Sequence, residues 1–147
     1  MPDFYLSSFV GVKDGTKIPA DRANGQLVGA KMSSIIGSKP AGVAYAAADQ
    51  IYLGTLRAGE SLREIKVTSD TSLGTTTVSV GPKSNTTKYA NARTMTTTDV
   101  PTLIGPRGTA AGDAPLTADE DIWATLGVGG IAAGVNVTFE LVIASVK

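Results

Sequence analysis

The sequence predicts an all-β protein: a single antiparallel β-sandwich, expected as a jelly roll, with an extended N-terminal arm. Three observations carry that expectation. Polarity is supplied by Thr, Ser and 17 Gly, whereas charged residues make up only 18% of the chain. Branched β-carbons suit a pleated, half-buried surface, and the Glu, Lys, Leu and Arg that fill soluble helices are sparse. Short apolar runs recur between Gly, Asp, Ser and Pro turns, the pattern of a sandwich or barrel. No long amphipathic segment separates them, and parallel sheets need such crossovers. At 147 residues the chain is sized for one domain with a core that needs no disulfide or metal staple.

Residues 1–24 read as the arm and residues 25–147 as the sandwich domain. Phe4, Tyr5 and Phe9 place three of the eight aromatic residues at the very start. Asp14-Gly15 and Asn24-Gly25 are turn dipeptides. An aromatic-rich terminus of this kind either covers a sheet or reaches a neighbouring subunit. Gln26 to Ile36 suits a strand, broken by Gly37-Ser38-Lys39-Pro40. Ala41 to Asp49 is Ala-rich but carries Gly42 and Val43, and a helix so short is marginal, so extended or irregular chain is expected.

The middle is regular. Ile51 to Leu56 is a strand, and Ala58-Gly59-Glu60 turns the chain. Ser61 to Thr68 follows, with Ile65 and Val67 on one face and Glu64 and Lys66 on the other. Thr75 to Val80 points Thr76, Val78 and Val80 inward. Between residues 81 and 118, Pro and Asp punctuate the chain. A strand within Tyr89 to Thr97 and an edge segment at Thr102 to Ile104 are expected, then a loop from Gly105 to Pro115. Ile122, Ala124, Leu126 and Val128 share one face, opposite Trp123 and Thr125. Gly127 to Gly134 turns the chain. Val135, Val137, Phe139, Leu141 and Ile143 then alternate with polar residues, the strongest period of two in the sequence. The tally is roughly eight strands, which fits a jelly roll.

Composition excludes much chemistry. With no Cys and no His, Ser-His and Cys-His catalysis and Cys/His metal sites are impossible. Thirteen basic residues balance thirteen acidic ones, which argues against a nucleic-acid partner held by bulk phosphate contacts. Arg57, Arg63, Lys66, Lys83, Lys88, Arg93 and Arg107 are scattered among acids. No run of about 18 apolar residues marks a membrane helix, and the first residues lack a secretory pattern; synthesis in the cytoplasm is expected. Gly25 to Lys31 lacks the Gly-Lys-Ser/Thr ending of a phosphate loop. Asp119-Glu120-Asp121 is the one acidic cluster; it reads as a solvated turn or charged edge, with a weak cation site as the alternative. Trp123 reads as a core or interface residue. No catalytic residue, metal or cofactor is expected, and the chain does not read as an enzyme.

One resemblance emerges from these segments. Ala48 to Glu60 contains Leu56-Arg57-Ala58-Gly59, and Thr77-Val78-Ser79-Val80-Gly81 follows. Later come Tyr89-Ala90, Thr94 to Asp99, Pro115 to Ile122 and the apolar last strand. Over residues 48–146 the chain resembles the small β-sandwich decoration, or cement, proteins of tailed-bacteriophage heads. In that family a Leu-x-Ala-Gly turn separates two strands and a Thr-Val-x-Val-Gly strand follows; Arg57 stands where the family usually has Pro. The resemblance implies a non-enzymatic virion protein on the capsid exterior. It would partner the major capsid protein, associate as a homotrimer, and clamp neighbouring subunits against internal DNA pressure. Phe4, Tyr5 and Phe9 are the candidate capsid or inter-subunit contacts. A tail or fibre module is the structural alternative. A carbohydrate-binding jelly roll using Trp123 and Tyr89 is the alternative from another class.

Overall fold

The structure, a computed structural model, describes residues 31–111 and 114–145. The arm, residues 1–24, and with it Phe4, Tyr5 and Phe9, lies outside the described residues. Eight strands follow in order: β1 (Lys31–Ser38), β2 (Gln50–Leu56), β3 (Glu60–Ser69), β4 (Thr77–Gly81), β5 (Ala90–Thr94), β6 (Thr102–Gly105), β7 (Glu120–Gly127) and β8 (Val137–Ser145). A single helical turn, α1 (Gly108–Ala111), interrupts the expected 105–115 loop. Among the described residues no helix is long and apolar enough to cross a membrane.

The strands form two four-stranded sheets, ordered β1-β8-β3-β6 and β2-β7-β4-β5, and every pairing is antiparallel. The pairs nest: β1 with β8, β2 with β7, β3 with β6, β4 with β5. The chain is therefore one long hairpin folded over on itself. Alternation along each strand then decides what is buried. Val137, Phe139, Leu141 and Ile143 of β8 face inward, as do Ile65 and Val67 of β3, Val78 and Val80 of β4, and Ile122, Ala124 and Leu126 of β7. Each such Val, Leu, Ile or Phe side chain removed from water contributes roughly 1.5–3 kcal/mol, and the Ala124 methyl less.

The expected strand 26–36 is described from Lys31 and runs on to Ser38. It ends because Pro40 has no N–H to give, after Lys39 N–H donates to the Val137 carbonyl at 2.8 Å. Residues 41–49 are irregular, as expected, and the edge segment at 102–104 is the edge strand β6. One expected inward residue is not inward. Val128 is 78% exposed. β7 stops at Gly127, and the Gly129 N–H donates to the Gly127 carbonyl at 2.7 Å. Val128 takes a left-handed φ of 65°, so this tight reversal carries its side chain out of the sandwich.

Two details of register matter below. The β2–β7 register shifts between Tyr52 and Gly54, and Gly54 has φ 147°. A Cβ there would sit 3.0 Å from the Ile35 side chain, so the glycine lets β2 approach β1. The register of β3 against β8 shifts between Leu62 and Glu64, and the extra residue, Arg63, reaches the Ala111 carbonyl at 3.0 Å. A bulge re-aims a side chain in this way.

The end of β3 is tied to the start of β8 through Asp70. Its carboxylate accepts from the Asn136 side-chain amide at 2.6 Å and from the Asn136 backbone N–H at 3.1 Å. The Asn136 side-chain bond, then its backbone bond, hold the Asp70 carboxyl below its ordinary value. A carboxyl depressed in the folded state stabilises fully above its unfolded value and loses that contribution as pH falls through the folded value. Thermal unfolding followed between about pH 6 and pH 2 is expected to show a smaller acid-induced fall in midpoint for Asp70→Asn than for the parent chain. Equal falls would contradict the assignment. In the core, Phe139→Ala is expected to cost about 3–5 kcal/mol in urea unfolding.

Candidate functional site

Among the described residues the sandwich is open on one side. β1 and β2 are edge strands of their sheets and lie beside each other. The inward positions of β1 are Ser33, Ile35 and Gly37, set opposite Ile143, Leu141 and Phe139 of β8. Only Ile35 is large, so β1 does not fill the gap between the sheets. The result is a groove of about 490 Å³. Ile35, Ile51 and Leu53 wall it, Phe139 and Leu141 form its floor, and Gln50, Tyr52 and Trp123 stand at its rim.

The end of the groove is held by a buried lysine. Lys39 is only 8% exposed, and its ammonium donates to the carbonyls of Val43 at 2.6 Å, Ala133 at 3.1 Å and Pro40 at 3.3 Å. Three carbonyl acceptors match its three donors. Beside it, Tyr45 and Ile131 exchange backbone hydrogen bonds of 2.9 and 2.8 Å. Gly130 permits that approach, because a Cβ there would collide with the Tyr45 carbonyl. The 39–49 loop, irregular by sequence, is thus firmly fastened to the β7–β8 turn.

Outside the groove lies an aromatic pair. Tyr52 and Trp123 are cross-strand partners with ring centroids 5.1 Å apart and planes tilted by 56°, a favourable arrangement of ring quadrupoles. Tyr52 is 51% exposed. The Thr55 hydroxyl donates to Asp121 at 2.6 Å, so it receives the Tyr52 hydroxyl, also at 2.6 Å. Lys83 holds its ammonium 4.0 Å from the centroid of a Trp123 ring, a cation–π distance. On the far face of β1, Met32 and Ile36 are exposed.

Among the described residues both edges are unpaired, and their blunting devices are few: Lys31 at the start of β1 and the register shift at Tyr52/Gly54 in β2. β1 runs eight residues with no register shift against β8. Neither strand contains Pro, and β2 contains no charge. Free edges of monomers are usually blunted by such devices.

The residues singled out from sequence divide as follows. Trp123 belongs to this surface, half-buried against Tyr52. Tyr89 does not: it is 4% exposed, and its hydroxyl donates to Glu120 at 2.5 Å. It is therefore no sugar platform. The acidic cluster is spent on separate partners. Asp119 accepts from Ala58 N–H at 2.8 Å, Glu120 accepts from Lys88 at 2.7 and 2.9 Å, and Asp121 accepts from Thr55. Among the described residues no group of three or more His, Cys, Asp or Glu is placed to hold a metal. Sequence reasoning missed Tyr52 and the groove. The alternation of Ile51, Tyr52 and Leu53 carried a signal for Tyr52, whereas the groove depends on which strands become edges.

No protein-family model matches the sequence, and no curated protein matches it. Solved structures show what class of fold this is: a β-sandwich of a kind found in phage capsids. A chain in the capsid of Ralstonia phage GP4 aligns with a TM-score of 0.52 and 18% identity, over 80% of this chain and 86% of that one. A chain of the cyanophage Pam1 capsid asymmetric unit aligns with a TM-score of 0.50 and 15% identity, over the same 80% and 86%. At these identities the likeness is one of fold.

Replacing Lys39 by Met would leave three carbonyls short of a donor. Losing hydrogen bonds to a charged group costs roughly 1.5–3 kcal/mol. The Lys39→Met chain is expected to unfold at lower urea by about that amount, with faster amide exchange at Tyr45. An unchanged urea midpoint would contradict this role for the lysine.

Proposed function

We propose that this protein is a structural component of a tailed-phage virion, a decoration protein on the capsid exterior that bridges neighbouring major capsid protein subunits. The fold shared with two phage capsid chains over 80% of the sequence carries this reading. The nested strand order supports a jelly roll. A neutral, Thr-rich surface with two sheet edges unpaired among the described residues and an exposed Tyr beside a Trp supports a life in contact. Tyr and Trp are enriched among the residues that dominate interface energetics. Self-association, as a homotrimer, belongs to the same reading. Repetition over a shell adds avidity, so each contact need not be strong. Catalysis has no place in it, since the acidic residues 119–121 are committed to structural hydrogen bonds.

Phe4, Tyr5 and Phe9 contribute to the contact in this proposal, together with Tyr52 and Trp123. Heads assembled without the protein, mixed with it and sedimented, are expected to take it up. The double variant Tyr52→Ala/Trp123→Ala is expected to lower occupancy at least about tenfold, the scale of losing an aromatic anchor. Deleting residues 1–10 is expected to reduce uptake while the far-ultraviolet dichroism of the sandwich persists. No uptake of the parent protein would overturn the reading.

A second reading, a saccharide-binding module, is favoured by one observation: Tyr52 is exposed next to Trp123, and the hydroxyl–carboxylate chain through Thr55 to Asp121 lies beside it. Glycan-array binding that disappears in Trp123→Ala would favour it over the capsid role.

A further inference from the structure

We propose that the cleft between β5 and β6, on the side of the sandwich away from Tyr52, binds an acidic polypeptide segment through Arg93 and Arg107. In the strand orders β1-β8-β3-β6 and β2-β7-β4-β5, β5 and β6 end their sheets opposite β1 and β2. A cavity of about 430 Å³ lies between them, a size usual for ligand pockets. Leu103, Ile104 and Pro106 give it apolar surface, and Leu103 is 57% exposed. Asn91, Arg93 and Arg107 give it polar groups.

A bulge aims Arg93 at this cavity. β4 and β5 pair Val80 with Ala90 and Val78 with Arg93, so two steps on β4 are matched by three on β5. Plain alternation from the buried Ala90 would turn residue 93 outward. The extra residue instead sets Arg93 opposite Val78, whose side chain is buried, and so on the face that looks between the sheets. Ala92 takes a left-handed φ of 47° within this bulge, a conformation uncommon outside glycine. The Ala92 N–H donates to the Ser79 hydroxyl at 3.0 Å. Arg107 is set from the other sheet, two residues beyond β6. Its backbone N–H donates to the Tyr89 carbonyl at 2.7 Å, and its guanidinium Nη1 to the Thr87 carbonyl at 3.1 Å.

Among the described residues neither guanidinium has a carboxylate partner; the ion pairs there are Lys66 with Glu64 and Lys88 with Glu120. The cleft therefore carries two positive charges and no negative one. A guanidinium presents a fork of N–H donors that matches a carboxylate. The apolar surface of Leu103 and Pro106 suits the aliphatic neighbours of a carboxylate in a polypeptide, and a bare phosphate has no use for it. A bulge and an inward charge also guard a sheet edge, but guarding needs neither a second arginine nor a cavity. The inference does not rest on the capsid reading, and it leaves Tyr52 and the β1–β2 side free for another contact.

The test titrates a short fluorescein-labelled peptide carrying Glu-Leu-Glu with the full-length chain and follows its anisotropy. A matched peptide carrying Gln-Leu-Gln is the control. The salt is about 0.1 M, where exposed charges more than about 10 Å apart are screened. The acidic peptide is expected to bind at least about tenfold more tightly than its amide counterpart, the scale of hydrogen bonds to a charged group. Arg93→Gln/Arg107→Gln is expected to remove at least that factor. Lys31→Gln/Arg57→Gln, which takes the same charge from elsewhere on the surface, is expected to leave the affinity within about twofold. Arg93 is exposed, so Arg93→Gln alone should keep the parent's urea midpoint and still weaken binding on folded protein. No binding, equal affinity for the two peptides, an Arg93→Gln chain that binds like the parent, or an equal loss in Lys31→Gln/Arg57→Gln overturns the inference. Displacement of the acidic peptide by inorganic phosphate or a short single-stranded oligonucleotide at equal concentration overturns it too, and makes the cleft a phosphate site.

Discussion

Strand β8 holds this protein together. It lies between β1 and β3 with an uninterrupted run of partners from Thr138 to Ser145 on the β1 side. Its inward residues Val137, Phe139, Leu141 and Ile143 are all nearly or fully buried. With a side-chain period of two, a shift of one residue would send all four to the outside. The register of β8 therefore fixes the register of both neighbours. It also fixes the groove, because Phe139 and Leu141 are simultaneously core residues and the floor of the open side. The groove is in this sense a by-product of packing: it appears where β8's large residues meet the small inward residues of β1.

That origin explains what was legible from sequence. The inward faces of β3, β4, β7 and β8 follow from alternation, and each is buried as expected at Ile65, Val78, Ile122 and Phe139. Local turn chemistry was less legible. Val128 fits the inward pattern of β7, yet the reversal at Gly127 to Gly129 removes it, and a period of two contains no information about where a strand stops. Lys39 was the least legible of all. A lysine beside Pro40 reads as a solvated breaker, and only the convergence of three carbonyls, one of them distant in the chain at Ala133, gives it a buried role. The groove was invisible for a related reason, since no local pattern says that β1 and β2 will be adjacent edges.

The remaining polar residues show how a chain without His or Cys spends its charges. Asp70 joins β3 to β8, Glu120 gathers Lys88 and Tyr89 at the start of β7, and Asp119 and Asp121 each accept from the chain around β2. These groups organise loops at the margins of the sandwich. Around the open edge hydroxyls, aromatic rings and apolar side chains predominate, with the charges of Asp121 and Lys83 held against Thr55 and Trp123.

Electron cryomicroscopy of heads incubated with the protein addresses the central claim directly. The account predicts density for the two-sheet sandwich on the outside of the shell, repeated by its symmetry, with the β1–β2 side and Tyr52 turned toward capsid subunits. Heads without added density, or a sandwich that meets the shell through the opposite β5–β6 side, would contradict it.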